Sequence, residues 1–272
     1  MDRKVILITG ASSGIGYEAA QRLARQGHKV YGAARRVELM EPLREAGVVP
    51  LKMDMTDEDS MAGAVRSIID AEGRIDVLVN NAGYGYLGAI ENVPMDEARK
   101  QMEVNIFGLA GLTRLVLPHM RERHSGRIIN ISSIAGRAVV LFGGWYNVSK
   151  YAVEALSDAL RIELKPFGIK VSVIEPSGIK TDWGIIAADN LEKSSRGSAY
   201  EGPALRMAGT FRMAYTSNIL SPSWKVARAI ARAANARRPR VRYHVGAGAG
   251  LFVVLHTILP ARWWDAIVRM LG

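Results

Sequence analysis

Short apolar runs alternate with amphipathic segments of helical length through the first two-thirds of the chain, and this alternation limits the fold more than any other feature. The runs are apolar throughout, which is typical of strands buried on both faces. They occupy residues 5–8, 29–33, 48–53, 75–79, 127–131 and 170–174. Helix-forming stretches separate them, at residues 14–26, 57–71, 96–123 and 145–167. The pattern predicts an α/β fold with a parallel sheet covered by helices on both faces.

The composition narrows the class of protein. Of the 272 residues, 49% are hydrophobic and 23% are charged, which is typical of a soluble globular protein. Cysteine is missing, so a thiolate metal site and a cysteine nucleophile are excluded, and a cytoplasmic location is expected. The net charge of +10 is spread along the chain. The one dense basic cluster, at residues 237–242, fits a solvated turn and strand edge, and we predict no nucleic-acid partner and no metal.

Helix ends and one loop are also marked. Asp57 is suited to cap the first turn of a helix, and Gly27, Gly126 and Gly168 stand where a left-handed residue would end one. Residues 190–209 are rich in Ser, Gly and Ala, which predicts a long irregular insertion of the kind that forms a lid. A helix at 224–236 and an alternating strand at 240–245 follow.

Glycines and small polar residues follow the first apolar run, in the order Thr-Gly-Ala-Ser-Ser-Gly-Ile-Gly at residues 9–16. Glycines at this point allow a tight turn and close approach of a pyrophosphate to the N-terminus of a helix. A glycine cluster alone also serves ordinary turns, but its position at the start of the first βαβ unit favours a dinucleotide. The predicted phosphate-binding residues are Gly10, Ser12, Ser13, Gly14, Ile15 and Gly16.

The end of the second apolar run indicates which dinucleotide is bound. An acidic side chain there would accept hydrogen bonds from the adenosine ribose. The sequence instead reads Gly-Ala-Ala-Arg-Arg at residues 32–36. Arg35 and Arg36 offer guanidinium groups that can bind a 2′-phosphate, so NADP(H) is the predicted cofactor. The alternative is that these arginines only begin a solvated helix.

Tyr146 and Lys150 lie four residues apart in a helical stretch and therefore share a helix face. The ammonium group favours the phenolate, so we expect the pKa of Tyr146 to fall from its usual value of roughly 10 toward neutrality. Ser133 follows the strand at 127–131, at the edge of the sheet where ligands of parallel folds bind. Its hydroxyl is suited to polarise a substrate carbonyl while Tyr146 delivers a proton.

Asparagines occur at two further points. Asn80 and Asn81 close the fourth strand, and Asn105 interrupts an apolar helix. A buried amide costs free energy unless it is hydrogen-bonded, so Asn105 either bonds backbone or water, or faces solvent. Structural and catalytic use both remain open on this ground.

Together these residues resemble the short-chain dehydrogenase/reductase family. The matching motifs, in order, are residues 9–16, 80–83, Asn105, Ser133, Tyr146 with Lys150, and 176–181. The resemblance implies a doubly wound, Rossmann-like sheet of seven parallel strands in a single domain over residues 1–272. It also implies a substrate loop at about 182–222 and a C-terminal helical extension at about 246–272. The C-terminal part resembles the branch of 17β-hydroxysteroid and retinol dehydrogenases.

The resemblance also implies a role for each matching residue. Tyr146 is the acid/base, Ser133 orients the carbonyl oxygen, and Lys150 lowers the Tyr pKa and holds the nicotinamide ribose. Asn105 holds a proton-relay water. The remaining residues implied to contact the cofactor are Asp54 and Met55 at the adenine, Asn81, Ala82 and Gly83 along its length, and Pro176, Ile179 and Thr181 near the carboxamide.

The sequence therefore predicts an enzyme that interconverts a ketone or aldehyde and an alcohol on a hydrophobic substrate of steroid, retinoid or fatty-aldehyde type. Trp183, Ile185, Ile186 and the segment 211–215 are expected to close its pocket. A non-catalytic NADP(H)-sensing regulator or scaffold is the alternative. Homo-oligomers are common in the family, so one is expected here. Residues 251–259 with Trp263 and Trp264 fit peripheral membrane contact, a cover over the cleft, or a subunit contact.

Overall fold

Seven parallel strands form the central sheet of the protein, whose computed structural model describes residues 2–217 and 219–271. The first six are β1 Val5–Thr9, β2 Lys29–Ala34, β3 Val48–Lys52, β4 Val77–Asn80, β5 Gly126–Ile131 and β6 Ile169–Pro176. Two short strands, β7 Ile179–Lys180 and β8 Ser221–Pro222, pair with each other in a separate ribbon. The seventh strand of the main sheet is β9 Arg242–Val245. The sheet order is β3-β2-β1-β4-β5-β6-β9, which confirms the predicted doubly wound fold.

Helices connect the strands close to the predicted positions. They are α1 Gly14–Arg25, α2 Glu58–Glu72, α3 Met95–Met102, α4 Leu109–Glu122, α5 Gly144–Glu163, α6 Trp183–Ser195, α7 Glu201–Thr216, α8 Trp224–Asn235, α9 Ala249–Ile258 and α10 Ala261–Leu271. A π-helix, Glu103–Gly108, joins α3 to α4, and 3-10 helices occupy Val37–Ala46, Ile134–Gly136 and Lys165–Phe167. Within the described ranges, no helix combines the length and apolar character needed to span a bilayer.

Each face of the sheet carries its own hydrophobic core. Ile6 and Ile8 point to the face covered by α1 and α8, whereas Val5 and Leu7 point to the face covered by α2, α4 and α5. Both faces of β1 are therefore buried, and this explains why the strand contains no charged residue. Each such side chain contributes about 1.5–3 kcal/mol when it leaves water.

The strand order reverses between β1 and β4. The chain moves outward from β1 to β2 and β3, then returns to β4 and continues through β5 and β6 in the other direction. Connections on the two sides therefore diverge, which leaves a crevice beyond the carboxyl ends of β1 and β4. The glycine-rich turn at 10–14 and the segment 81–83 follow these two strand ends.

The segment 190–209 is helical, so its prediction as a long irregular insertion was wrong. Helix α6 and helix α7 cover most of it, and Gly197 supplies a left-handed residue (φ +69°) between them. Their contact uses small and flexible side chains, including Ala188, Ala204 and Met207. Because alanines let two helix backbones approach closely, a composition that resembles a loop here serves helix packing.

Most of the predicted helix caps are present. The Asp57 carboxylate accepts a hydrogen bond from the Ser60 backbone N–H at 3.0 Å, and Gly27 and Gly168 are left-handed, with φ of +86° and +68°. The prediction for Gly126 was wrong, because this residue begins β5 and His124 takes the left-handed conformation after α4. A side chain at 126 would collide with Met120, so close packing explains that glycine.

Arg242 is half-buried and ion-paired, so the basic cluster is only partly a solvated strand edge. Its guanidinium lies 3.0 Å from Glu154, 2.7 Å from Asp158 and 3.2 Å from Glu175. Glu175 is completely buried, and His244 Nδ1 lies 2.7 Å from its other oxygen. Two buried carboxylates require a positive partner, and the final strand of the sheet provides it.

Candidate active site

The turn after β1 brings the backbone of Gly16, in the first turn of α1, close to the backbone of Gly10. Gly10 and Gly14 adopt φ of +66° and +56°, a region that side chains disfavour. A Cβ on Gly16 would collide with the carbonyl oxygen of Gly10, so only glycine fits there. The first N–H groups of α1 follow this turn, and Ser13 makes no capping bond to them. The turn can therefore hold an anion at the N-terminus of the helix.

Thr9 and Asn81 fasten this turn to the end of β4. The Thr9 hydroxyl accepts hydrogen bonds from the backbone N–H groups of Asn81 (2.9 Å) and Ala82 (2.8 Å). The Asn81 amide in turn donates to the carbonyl groups of Thr9 (2.9 Å) and Gly10 (3.2 Å). The side chain of Asn81 thus supports the loop. Thr9 was not among the predicted site residues, although its place at the head of the glycine motif indicates this use.

Arg35 and Arg36 follow β2 and line the same crevice. Burial alone would raise the pKa of the Asp54 carboxyl, but hydrogen bonds from the Thr56 backbone and hydroxyl, with Arg35 nearby, lower it. Asp54 is therefore an ionised acceptor at the end of β3. Its partners show that the carboxylate at this edge is already hydrogen-bonded by its own loop.

Ser133, Tyr146 and Lys150 converge beyond the end of β5. Ser133 Oγ accepts a hydrogen bond from the Ala135 N–H at 3.1 Å and lies 3.4 Å from the Pro176 carbonyl oxygen. The same hydroxyl is near enough to the Tyr146 phenol to lower its pKa. Lys150 Nζ lies 5.8 Å from the centroid of the Tyr146 ring and donates to the Ile131 carbonyl at 3.0 Å. A hydroxyl, a phenol and an amine therefore share one small region.

The pKa of Tyr146 is raised, so the expected fall toward neutrality was wrong for the protein alone. Burial raises this pKa, and the Ser133 hydroxyl only partly opposes the rise. Burial also lowers the pKa of Lys150 to about 8, against the attraction of Glu154. The sequence argument assumed an ammonium group close to the phenol and gave no weight to the removal of both groups from water.

Asn105 lies in the π-helix between α3 and α4 and is buried. Its amide oxygen accepts from the Tyr84 N–H (3.1 Å), and its amide nitrogen donates to the Tyr84 carbonyl (3.0 Å) and to Ser149 Oγ (3.0 Å). Of the open alternatives, a bond to backbone is the one observed. The amide connects the loop after β4 to helix α5, and π-helical turns often occur at functional sites.

All these elements border one cleft of about 1290 Å³. Every predicted cofactor residue lines it except Gly16, as do the predicted catalytic residues other than Asn105. Thr181 lies over the glycine turn, with its methyl group 3.4 Å from where a Gly14 Cβ would be. The predicted residues therefore border one continuous cleft, with the exception of Gly16 and Asn105.

Large apolar side chains also line the cleft, on the side of Tyr146. The Trp183 ring lies 5.1 Å from the Tyr146 ring and 6.5 Å from the Tyr215 ring, and Phe211 lies 6.1 Å from Tyr215, centroid to centroid. Of the predicted pocket residues, Ile185 and Met213 do not line it. The sequence did not indicate the apolar lining residues Leu87, Leu141 and Val268, whereas Met207 and Leu220 fall in the predicted substrate loop and Phe252 falls in the segment 251–259, for which a cover over the cleft was one alternative.

Known proteins match this chain along most of its length. The family model described as short chain dehydrogenase matches residues 4–190. A probable short-chain type dehydrogenase/reductase VdlC of Helicobacter pylori is 38% identical over 266 residues, which cover 97% of this chain and 96% of that protein. A 3-ketodihydrosphingosine reductase of Bacteroides thetaiotaomicron is 46% identical over 182 residues, or 66% of each chain.

Solved structures of short-chain dehydrogenases are also similar to this chain. A short-chain dehydrogenase from Streptomyces avermitilis has a TM-score of 0.81 and 34% identity, covering 100% of this chain and 99% of its own. A metagenomic short-chain oxidoreductase in complex with NADP has a TM-score of 0.71, with 26% identity over 89% of this chain and 96% of its own. A Burkholderia phymatum homologue in complex with NAD has a TM-score of 0.77, with 26% identity over 89% of each chain. The chain belongs to the short-chain dehydrogenase/reductase family and is an oxidoreductase of that type.

Proposed function

We propose that this protein uses NADP(H) to interconvert a ketone or aldehyde and the corresponding alcohol on a mostly apolar substrate. The observation that carries the proposal is the convergence of Tyr146, Ser133 and Lys150 on a cleft in which Trp183 and other aromatic and aliphatic side chains lie close to the phenol. A phenol next to a hydroxyl can transfer a proton to and from an oxygen atom. An apolar wall excludes water from that transfer.

The residues at the other end of the cleft fit a nicotinamide dinucleotide. Gly10, Gly14 and Gly16 leave room for phosphate beside backbone N–H groups, because side chains at these positions would be strained or would collide with the turn. When bound, the cofactor would supply or accept hydride at the carbonyl carbon. Lys150 is positioned near Tyr146 to hold the nicotinamide ribose.

The chain's own residues supply the proton and the orientation. In reduction, Tyr146 donates its hydroxyl proton to the carbonyl oxygen, and Ser133 donates a hydrogen bond that holds this oxygen in place. In oxidation, the proton returns from the alcohol to Tyr146. A positive charge next to the phenol is required to offset the effect of burial on its pKa, and Lys150, together with an oxidised nicotinamide ring, is suited to provide it.

NADP(H) is favoured over NAD(H) by the end of β2. Arg35 and Arg36 line the cleft there, and the strand ends in alanines with no carboxylate to bind a ribose diol. Related structures occur with NADP and with NAD, so the preference has to be measured on this protein.

A carbonyl on a long or bulky apolar group suits the cleft. Trp183, Phe211 and Tyr215 provide flat apolar surfaces at the Tyr146 end. The Bacteroides relative, whose name specifies a keto substrate, supports the same reaction type.

Oxidation of NADPH and of NADH, measured side by side against a panel of apolar ketones and aldehydes, tests the proposal. We expect turnover with NADPH to exceed turnover with NADH, and larger apolar carbonyls to be preferred over small polar ones. Equal rates with both cofactors would contradict the assignment of Arg35. A preference for small polar carbonyls would contradict the assignment of the apolar wall.

A further inference from the structure

The last two helices contribute their inner faces to the cleft. Helices α9 and α10, here called the C-terminal hairpin, pack through Trp264, whose ring lies 4.7 Å from that of Phe252 and 5.0 Å from that of His256. Phe252 and Val268 line the cleft. The hairpin is therefore part of the wall of the cleft.

The outer side of the hairpin is apolar. On α9, Leu251, Val254 and Ile258 follow at helical spacing and are 63%, 54% and 68% exposed. On α10, Trp263 and Met270 lie two turns apart on one face and are 68% and 78% exposed. Single exposed apolar residues are common, but aligned rows on two consecutive helices mark a surface that contacts something apolar.

Charges on the hairpin are confined to a third face of α10. Arg262, Asp265 and Arg269 follow at helical spacing and are exposed, whereas the chain between Arg242 and Arg262 has no Asp, Glu, Lys or Arg. Helix α10 thus presents a buried face, an apolar exposed face with a tryptophan, and a polar face with two arginines. This arrangement is typical of helices that lie in the plane of a bilayer, with arginines at anionic headgroups.

We propose that the outer face of the C-terminal hairpin docks on an anionic lipid bilayer, so that the cleft opens toward the membrane. The docking follows from the hairpin alone. Delivery of an apolar carbonyl compound from the bilayer into the cleft rests in addition on the proposed function. Anionic lipid is the occupant that this face fits, because the polar face of α10 carries two arginines against one aspartate beside an exposed tryptophan.

Vesicle flotation of the full chain, without cofactor or substrate, tests the docking. The vesicles are phosphatidylcholine alone and an equal mixture of phosphatidylcholine and phosphatidylglycerol. We expect the wild type to float with the mixed vesicles and less with the neutral ones. The double variant Ile258→Gln, Trp263→Gln should lower partitioning by at least about tenfold, because it removes exposed apolar area from the contact.

Two comparisons control the experiment. Ile162→Gln changes an equally exposed isoleucine on α5 (66%) and should leave flotation unchanged. Arg262→Gln with Arg269→Gln should weaken binding to the mixed vesicles several-fold and leave the neutral ones unaffected, and added salt should reproduce this loss in the wild type. All these positions are exposed, so the variants should keep the wild-type Tm.

Wild type that stays unbound to mixed vesicles would overturn the proposal, as would a hairpin variant that floats as well as the wild type. If the hairpin variant changes the sedimentation of the protein without vesicles, the face is a contact between copies and the proposal also fails. Activity separates docking from catalysis. The hairpin variant should reduce a water-soluble ketone at the wild-type rate and a vesicle-embedded long-chain ketone more slowly. Inactivity of the wild type on both ketones would count against the proposed reaction and leave the flotation result standing.

Discussion

The two ends of the cleft differ in whether backbone or side chains form their surface. At the glycine turn, the surface consists of backbone, held by the left-handed Gly10 and by hydrogen bonds of Thr9 and Asn81. At the opposite end, the surface consists of side chains such as Trp183 and Phe211, which project from helices. A backbone surface requires particular residues at particular spacing, whereas a side-chain surface requires only volume and apolar character. The first end should therefore bind one ligand in many relatives, and the second should differ among them.

Tyr146 lies at the apolar end, and removal of its hydroxyl gives the largest expected effect. We predict that Tyr146→Phe lowers kcat by about a thousandfold, because general acid catalysis contributes factors of about 10²–10⁴. The ring contact with Trp183 should persist, since only the oxygen is removed. NADPH affinity, measured by fluorescence titration, should stay within about twofold of the wild type. Undiminished turnover would show that another group delivers the proton.

The next largest effect concerns Arg242, where the C-terminal part of the chain completes the core behind the site. We predict that Arg242→Leu lowers the free energy of unfolding by about 3 kcal/mol, because it removes the ion pair of the buried Glu154 and leaves the buried Glu175 with Arg137, 3.6 Å away, as its remaining arginine partner. Urea denaturation measures the change. Arg44→Leu, which removes an exposed pair with Glu41, is the matched control and should change stability by less than about 0.5 kcal/mol.

The effect of Arg242→Leu should depend on pH. Burial raises the pKa of Glu154 above its usual 4.5, and Arg242 opposes that rise. A carboxyl with a raised pKa in the folded state binds its proton more tightly there than in the unfolded chain, so its contribution to stability falls as pH rises above 4.5. Without Arg242 the pKa rises further. The stability difference from the wild type should therefore grow from acidic to neutral pH, and a difference that shrinks would contradict this account.

Gly16 tests the backbone end directly. We predict that Gly16→Ala weakens NADPH binding by about 1–3 kcal/mol, since the new methyl group would press on the Gly10 carbonyl and distort the turn. Gly63→Ala is the matched control, because this exposed glycine of α2 has free space for a Cβ, and the substitution should stabilise the protein by up to about 1 kcal/mol. Isothermal titration and thermal melts measure the two effects. Equal cofactor affinity in both variants would argue against a phosphate site at this turn.

Replacement of Arg35 tests the preference for NADPH over NADH at the cofactor end of the cleft. We predict that Arg35→Gln raises the Kd for NADPH by about tenfold and leaves the Kd for NADH unchanged, since a charge-assisted hydrogen bond is worth about 1.5–3 kcal/mol and only NADPH carries the 2′-phosphate. Arg25→Gln, at the exposed end of α1 and away from the cleft, should change neither value. A loss that is equal for both cofactors would assign Arg35 to the shared part of the dinucleotide.

The same contrast explains what the sequence could predict. The glycine turn, Ser133, Tyr146 and Lys150 lie at fixed positions relative to strand ends and helix turns. Their spacing along the sequence was therefore enough to predict that they lie close together. Each of the six early strands was also evident, because burial on both faces leaves an unbroken apolar run.

Other features depend on contacts between distant segments and could not be predicted. The partners of Arg242 lie on α5 and β6, far from β9 in the chain. Phe252 and Val268 reach the cleft only because α9 and α10 pack together. The raised pKa of Tyr146 follows from burial, a property of the folded chain. Helices α6 and α7 were missed because alanine-rich packing resembles a loop in composition.

Trp183 has an expected effect no larger than that of Arg35, and its replacement tests whether the cofactor end and the substrate end of the cleft act independently. We predict that Trp183→Ala lowers kcat/KM for a bulky apolar ketone by about tenfold, through lost apolar contact. NADPH affinity should not change. Water admitted beside Tyr146 should also lower the raised pKa of the phenol. Because reduction needs the protonated phenol, the alkaline fall of kcat should move to lower pH.

Ile186→Ala is the control for Trp183, because Ile186 lines the same cleft but is half-exposed. It should reduce kcat/KM for the bulky ketone less and leave the alkaline limb of the pH profile in place. A pH shift in both variants would mean that general opening of the cleft, and not the Trp183 ring against Tyr146, controls the pKa of the phenol. If Trp183→Ala weakened the binding of NADPH as much as that of the ketone, the cleft would act as one unit. Its division into a backbone end and a side-chain end would then be wrong.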